Sequence, residues 1–357
     1  MLLKKLKKAR LLVTGGAGFM GSCFIRHMLG GSEFEGKLIN LDLLTYAGNL
    51  DNLSGFEFDP RYIFVQGDVQ DAELLERIVS EYRIDIIVHF AAQTHVDKSI
   101  QSPRTFLETN ILGTQTLLEL VRANPHIQFH LISTDEVYGS LPATGQFYEH
   151  SPYRPRSPYS ASKAAADHLV SAYHETYGIP VTISHASNNY GPCQYPEKFI
   201  PLMILNCIEG KPLPIYGRGD NVRDWMYVED HTLALIAILE NGRNGEVYNI
   251  ASNEEISNLN LLYLLIDRIA EMTNSSPEKY RKLISFVPDR PGHDFRYSLN
   301  TDRMQNELGF TNTCSLEEGI DKTIRWYFNN LDWVERVKNK TYFDWVNQQY
   351  KTVDKRI

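Results

Sequence analysis

Apolar, β-rich runs alternate with helical patterns along the first half of the chain, and this alternation limits the fold more than any other feature. "RLLVTGG" predicts a strand that leads into a helix in "FMGSCFIRHML". "KLINLD" and "YIFVQGD" predict the second and third strands, and "DAELLERIVSEY" an amphipathic helix. "DIIVHFAA" predicts a fourth strand, "TFLETNILGTQTLLELVRA" a helix and "FHLIS" a fifth strand, before a helix around "YSASKAAADHLVSAYHETYG" and a strand in "VTISHAS". Such an order specifies parallel strands joined by crossover helices, hence an α/β chain with a Rossmann-like, doubly wound parallel sheet. After "NNYGP" the rhythm loosens. "LPIYG", "RDWMYV" and "EVYNIAS" predict short strands, with helices in "HTLALIAILENG" and "NLNLLYLLIDRIAEM". The expected organisation is a first domain over residues 10–190 and a smaller mixed α/β C-terminal substrate lobe over 191–330. Interleaving of the two stays open, and a tail over 331–357 is expected to pack on the lobe.

Composition excludes several classes. A net charge of -8 argues against a nucleic-acid or anionic-membrane partner, because phosphate surfaces attract basic faces. Five basic side chains do fall in "MLLKKLKKAR", which reads as a solvated leader without the long apolar core of a signal peptide. No apolar run approaches the roughly 20 residues that span a bilayer. Cys23, Cys193, Cys207 and Cys314 have neither metal spacing nor close pairing, as expected of reduced thiols in a cytoplasmic protein. The eleven histidines are scattered, and no metal is expected.

The first predicted strand runs directly into "TGGAGFMG", where Gly15, Gly18 and Gly21 repeat at every third residue. A glycine turn between strand and helix lets a pyrophosphate approach backbone N–H groups and the helix N-terminus. Asp42 ends the second strand 21 residues after Gly21, where a carboxylate can accept from the ribose hydroxyls of a dinucleotide. That carboxylate would repel a 2′-phosphate, so NAD is expected over NADP. Asp68, ending the third strand, suits the adenine amino group. Either acid could equally be a strand-end turn residue.

"YSASK" sets Tyr159 and Lys163 four apart at a helix start, on one face. A phenol with a pKa of about 10 needs a nearby cation to act as a base near neutrality. Upstream, "STDEVYG" puts Asp135 beside Glu136 where the fifth strand finishes. Two carboxyl groups in different protonation states can divide acid and base work. A turn beginning after Thr134 would aim both into one cleft, which strand alternation would prevent. The alternative is a turn cap at Asp135 and a solvated Glu136.

With "TGGAGFMG", "HFAA", "STDEVYG", "YSASK" and "NNYGP" in that order, the sequence resembles the extended short-chain dehydrogenase/reductase family. The adjacent acids resemble those of the nucleotide-sugar 4,6-dehydratases. "LTYAGNL", "HVDKSI", "PEKFIP", "LPIYGRGDNVRDWMYVEDH" and "RPGHDFRY" narrow the likeness to the dTDP-glucose 4,6-dehydratases, over roughly residues 10–330. The resemblance implies a homodimeric hydro-lyase using NAD. Tyr159 would take the C4 hydroxyl proton, Glu136 the C5 proton, and Asp135 would protonate the leaving C6 hydroxyl. Thr134 would hold the C4 oxygen, and Lys163 would tune Tyr159 and hold the cofactor ribose. The implied cofactor site adds Phe19, Met20, Leu43, Thr45, Val69, Ala91, Ala92, Thr109 and Asn189. The implied substrate site comprises Thr94, His95, Thr134, Asn188, Glu197, Lys198, Tyr216, Arg223, Asn258, Arg290, His293 and Tyr297. Of these, Arg223, Arg290 and His293 have the chemistry to bind a diphosphate.

The sequence departs from the family pattern at Leu43, where a basic residue commonly follows the ribose aspartate. One adenosine-phosphate contact is thereby lost, and weaker NAD binding is expected. "AAQTHVD" and "YNIASNEE" also depart from it and leave UDP-glucose open beside dTDP-glucose. A 4-epimerase or 5,6-dehydratase, and a catalytically silent NAD-binding scaffold, remain as alternatives.

Overall fold

The structure is a computed structural model and describes residues 3–31 and 33–338. Among them, seven strands form one sheet: β1 (Arg10–Thr14), β2 (Lys37–Asp42), β3 (Tyr62–Gln66), β4 (Ile86–His89), β5 (Gln128–Thr134), β6 (Val181–Ala186) and, much later in the chain, the strand Val247–Ile250. Across the sheet they lie in the order Val247–Ile250, β6, β5, β4, β1, β2, β3, and every pairing is parallel. The winding direction reverses at β1, which lies between β2 and β4. That is the switch point at which open α/β sheets bind ligands, beyond the carboxyl ends of the strands.

Strands buried on both faces read as continuous apolar runs, which is why these segments were legible. On one face, Phe24, Ile25 and Met28 of helix Phe19–Gly30 pack with Leu235, Ile238 and Leu239 of helix Val228–Asn241. On the other, Leu75 and Ile78, Leu117 and Val121, and Ala166 and Val170 come from three successive crossover helices. Each fully buried Leu or Ile contributes about 1.5–3 kcal/mol relative to exposure.

The remaining strands are β7 (Asn188–Tyr190), β8 (Leu213–Tyr216), β9 (Val222–Tyr227), β10 (the Val247–Ile250 strand above), β11 (Glu255–Ser257) and β12 (Ile284–Val287). β11, β9 and β7 form one small sheet, and β12 pairs with β8. A separate apolar core lies beneath them, built by helices Phe199–Glu209, Asn258–Met272 and Leu316–Asn329. β10 and helix Val228–Asn241, from the second half of the sequence, thus belong to the first sheet and its cover.

Three expectations need adjustment. The basic leader is not simply solvated: Leu6 is fully buried, and the backbone N–H groups of Lys4, Lys5 and Leu6 all donate to the Glu240 carboxylate. The helix expected over "TFLETNILGTQTLLELVRA" contains a π-helical turn at Glu108–Leu112. There the Asn110 amide is pulled toward the main chain of Gln93, accepting from its N–H at 2.8 Å and donating to its carbonyl at 3.0 Å. The tail begins with helix Leu331–Val337, whose Trp333 donates to Asn52 Oδ1 at 2.9 Å, so it also touches the first domain. The rest of the tail, 339–357, lies outside the described residues. No helix among the described residues is long and apolar enough to cross a membrane.

Candidate active site

A cleft of about 320 Å³ opens at the switch point, over the carboxyl ends of β1, β2, β4 and β5. Its floor is the glycine turn. Gly15 has φ +70, and a Cβ there would lie 2.6 Å from the Ala91 backbone nitrogen, so only glycine fits where β1 and β4 turn outward together. Gly18 caps helix Phe19–Gly30 with no side chain over its first N–H groups, leaving a helix N-terminus directed at the cleft. Phe19, Met20 and Gly21 complete this wall.

Asp42 reaches the cleft from the end of β2. Its carboxylate accepts from Ala17 N–H at 2.9 Å and Leu44 N–H at 2.8 Å, which fixes its orientation and leaves lone pairs for hydroxyl donors. Burial raises its pKa, only partly offset by these bonds. Leu43, Thr45, Asp68, Val69, Ala91, Ala92, Thr109 and Asn189 line the same cleft. Buried Asn189 Oδ1 and Gln194 Oε1, both on its wall, have no hydrogen-bond partner among the described residues. Unmet acceptors, a glycine floor and an open helix N-terminus fit a bound dinucleotide.

Where β5 ends, a short 3₁₀ turn, Asp135–Tyr138, replaces the strand. The Thr134 hydroxyl caps it, accepting from Glu136 N–H at 3.2 Å. The change of backbone breaks strand alternation, and Thr134, Asp135, Glu136 and Tyr159 all face the cleft. The two acids experience different surroundings. Asp135 is 2 % exposed, its Oδ2 has no hydrogen-bond partner among the described residues, and burial followed by the Glu136 charge holds its pKa well above the usual carboxylate range. Burial also raises the Glu136 pKa, but Arg290, Arg223 and Lys198 pull it back toward the ionised form.

Tyr159 stands at the start of helix Pro158–Tyr177, which opens with a capping box between Ser157 and Ser160. Burial and the Glu136 charge raise the Tyr159 phenol, while a hydrogen bond from Thr134 lowers it. Lys163 is 4 % exposed and lies behind the cleft wall, its ammonium donating to the Ile132 carbonyl at 2.8 Å. Burial lowers its pKa to about 8.

Comparison with known proteins decides the family. The sequence profile of the family described as GDP-mannose 4,6 dehydratase matches residues 12–323. A dTDP-glucose 4,6-dehydratase of Shigella flexneri is 46% identical over 360 aligned residues, covering 96% of this chain and 99% of the relative. The chain belongs to the dTDP-glucose 4,6-dehydratase family. The crystal structure of the Bacillus anthracis dTDP-glucose 4,6-dehydratase in complex with NAD superposes with a TM-score of 0.84 at 46% identity, covering 92% of this chain and 100% of that one. A Streptomyces venezuelae dTDP-glucose 4,6-dehydratase with NAD bound gives 0.87 at 45% identity, with the same coverage.

The residues expected on the substrate side of a dTDP-glucose 4,6-dehydratase fall into two groups. Thr94, Asn188, Glu197 and Lys198 line the cleft itself. Lys198 reaches back to the Thr94 carbonyl at 3.3 Å. Tyr216, Arg223, Arg290, His293 and Tyr297 are not on that wall, but their segments meet beside it. Arg223 lies 4.2 Å above the Tyr297 ring and spends three of its N–H donors on the carbonyls of Val222, Asp294 and Phe295. His293 pairs with Asp289 at 2.6 Å and meets the Tyr216 ring edge-on. Asn258 begins the helix that follows β11, its N–H bonded to the Asn221 carbonyl.

His95 stands apart. It is buried, does not line the cleft, and burial with the nearby lysines drives its pKa down to about 2. Glu197 is also committed within the chain, to Tyr46 and Lys98. Sequence reasoning missed Tyr46, Gln93, Ser133 and Gln194 on the cleft wall. Tyr46 lies within the quoted "LTYAGNL", whereas Gln194 carried no signal.

Proposed function

We propose that this chain converts dTDP-glucose to dTDP-4-keto-6-deoxyglucose by dehydration across C5 and C6. The adjacent Asp135 and Glu136 carry this reading, because they face one cleft with unlike electrostatic surroundings. NAD, when bound, would supply the hydride acceptor for sugar C4 and the hydride donor for C6. Tyr159 accepts the C4 hydroxyl proton while Thr134 holds that oxygen. The resulting ketone makes the C5 hydrogen acidic, and Glu136 removes it, then returns a proton to C5 once hydride has reached C6. Asp135, kept protonated by burial, delivers its proton to the departing C6 hydroxyl. Lys163, fixed through Ile132, supplies positive charge behind Tyr159 and a donor for the cofactor ribose. The glycine turn, Asp42 and Asp68 hold the two ends of the dinucleotide's adenosine half. Lys198, Arg223 and Arg290 supply the cations near the sugar diphosphate.

The division of labour places dinucleotide binding in residues 10–190 and nucleotide-sugar binding in 191–330, with β10 carried back into the first sheet. The chain acts as a homodimer, a reading supported by the family and by exposed Leu107 and Leu112 on the helical stretch after Arg104. Light scattering on the purified protein tests that state. It works in the cytoplasm, consistent with four unpaired thiols.

The deciding experiment incubates pure protein with dTDP-glucose and, separately, UDP-glucose, and reads product mass. Loss of one water from dTDP-glucose alone, with no net NADH, is the expected result. Loss from UDP-glucose alone would replace the base, and an unchanged mass with both would overturn the dehydratase reading.

A further inference from the structure

Behind the cleft wall lies a buried polar cluster that the reaction above does not use. Asp167 sits one helical turn beyond Lys163 and is 1 % exposed. Its Oδ2 accepts from the Ser133 hydroxyl at 2.9 Å and lies 3.0 Å from His185 Nε2. Its Oδ1 is buried with no hydrogen-bond partner among the described residues. Ser133 and His185 are register partners on β5 and β6, so the sheet itself sets the spacing of these two anchors.

Proton counting describes the cluster further. The Tyr138 hydroxyl donates to Asn249 Oδ1 at 3.0 Å, and its oxygen lies 2.7 Å from His185 Nδ1. Tyr138 has one proton to give. With that proton on Asn249, His185 Nδ1 must be the donor to Tyr138. His185 Nε2 faces both Asp167 Oδ2 and the Tyr153 hydroxyl, each at 3.0 Å, so the imidazole links the Asp167 carboxyl group to two tyrosines.

Lys163 is the other cation beside this carboxylate. Side chains four apart on a helix are neighbours, about 5–6 Å between Cβ atoms. Burial acts against the Lys163 charge and Asp167 acts for it. Lys163 also acts on His89 of β4, and Asp167 also acts on Tyr159, Tyr138 and Tyr153. His89 is held neutral between Thr14 and Thr114, its pKa lowered to about 3 by burial and by Lys163.

We propose that Asp167, oriented by Ser133 and His185, is a positioning residue that keeps the Lys163 ammonium charged and in place behind Tyr159. The inference rests on the role of Tyr159 and Lys163 given above.

The test is a direct titration of Lys163 by NMR of lysine-labelled protein, with its signal assigned by loss in Lys163→Met. Asp167→Asn keeps the size of the side chain and an acceptor for Ser133 but removes the charge. Its Lys163 midpoint is expected to fall by about one pH unit or more, and the alkaline limb of kcat to move the same way. An unmoved midpoint overturns the proposal, even if activity drops. Should Asp167→Asn fail to fold, Asp167→Ser removes the same charge from a smaller side chain. The same fall in the Lys163 midpoint is expected, and an unmoved one overturns the proposal. Turnover of dTDP-glucose by the unaltered protein is read separately. A titration shift without turnover removes the proposed function alone, and turnover without a shift removes only this inference.

Discussion

The Tyr46 hydroxyl donates to Glu197 Oε1 at 2.9 Å, joining the loop after Asp42 to the segment that carries Lys198. Lys98 completes the contact, 2.9 Å from Glu197 Oε2 and 3.4 Å above the Tyr46 ring. The Glu197 side chain is 2 % exposed, so these donors serve a carboxylate that water barely reaches. Tyr46→Phe removes one of them and leaves a buried carboxylate oxygen unmet. It is expected to destabilise the fold by about 1–3 kcal/mol and to raise the NAD dissociation constant more than it lowers kcat. Thermal unfolding and calorimetric titration with NAD check both parts, and an unchanged NAD affinity would confine Tyr46 to a structural role.

Glu136→Gln keeps the shape of the turn and removes the base proposed at C5. Oxidation at C4 depends on Tyr159 and should proceed, while elimination should slow by about 10²–10⁴-fold. Bound NADH should therefore accumulate after dTDP-glucose is added, visible as its absorbance in a stopped-flow trace. Product formation at the unaltered rate would remove Glu136 from that role.

Much of this architecture was legible because strands buried on both faces write themselves as apolar runs between helical patterns. β1, its glycine turn and the acid pair at the end of β5 were readable for the same reason: each is a local departure within a regular pattern. The Tyr46–Glu197 contact was not, because it joins residues 151 apart and neither has a local pattern that names the other. The helix over "FIPLMILNCIE" escaped because it is apolar nearly all round, and periodicity cannot separate such a run from a strand. The leader misled through composition: four lysines suggest solvation, while Leu6 between them is buried.

The pH dependence of elimination follows from the environments of the acid pair. Glu136 must be ionised, and burial raises its pKa, so the rate falls as pH drops through that raised value. Asp135 must be protonated, and its pKa is raised further, so the rate falls again as pH rises through it. A bell is expected, with limbs that belong to the coupled pair. Arg290 is the cation that lowers Glu136 most, so Arg290→Ala should move the acid limb toward higher pH. Single-turnover elimination at saturating dTDP-glucose measures this apart from any loss of binding. An acid limb that stays in place would assign it to another group.

Leu43 follows Asp42, is 47 % exposed and lines the cleft. An apolar side chain there offers the cofactor no charge, although the adjacent backbone already positions Asp42 through Leu44 N–H. Leu43→Lys would place an ammonium at the adenosine end of the cleft while leaving the glycine turn and the Asp42 bonds intact. Because the site is solvent-accessible, the gain should be modest, about 0.2–1 kcal/mol, or up to roughly five-fold in NAD affinity. Salt would screen it, so the difference between the two proteins should shrink as ionic strength rises. Titration of both with NAD at low and high salt checks the magnitude and the screening together. An affinity unchanged at low salt would mean that the chain meets the phosphate through the helix N-terminus alone.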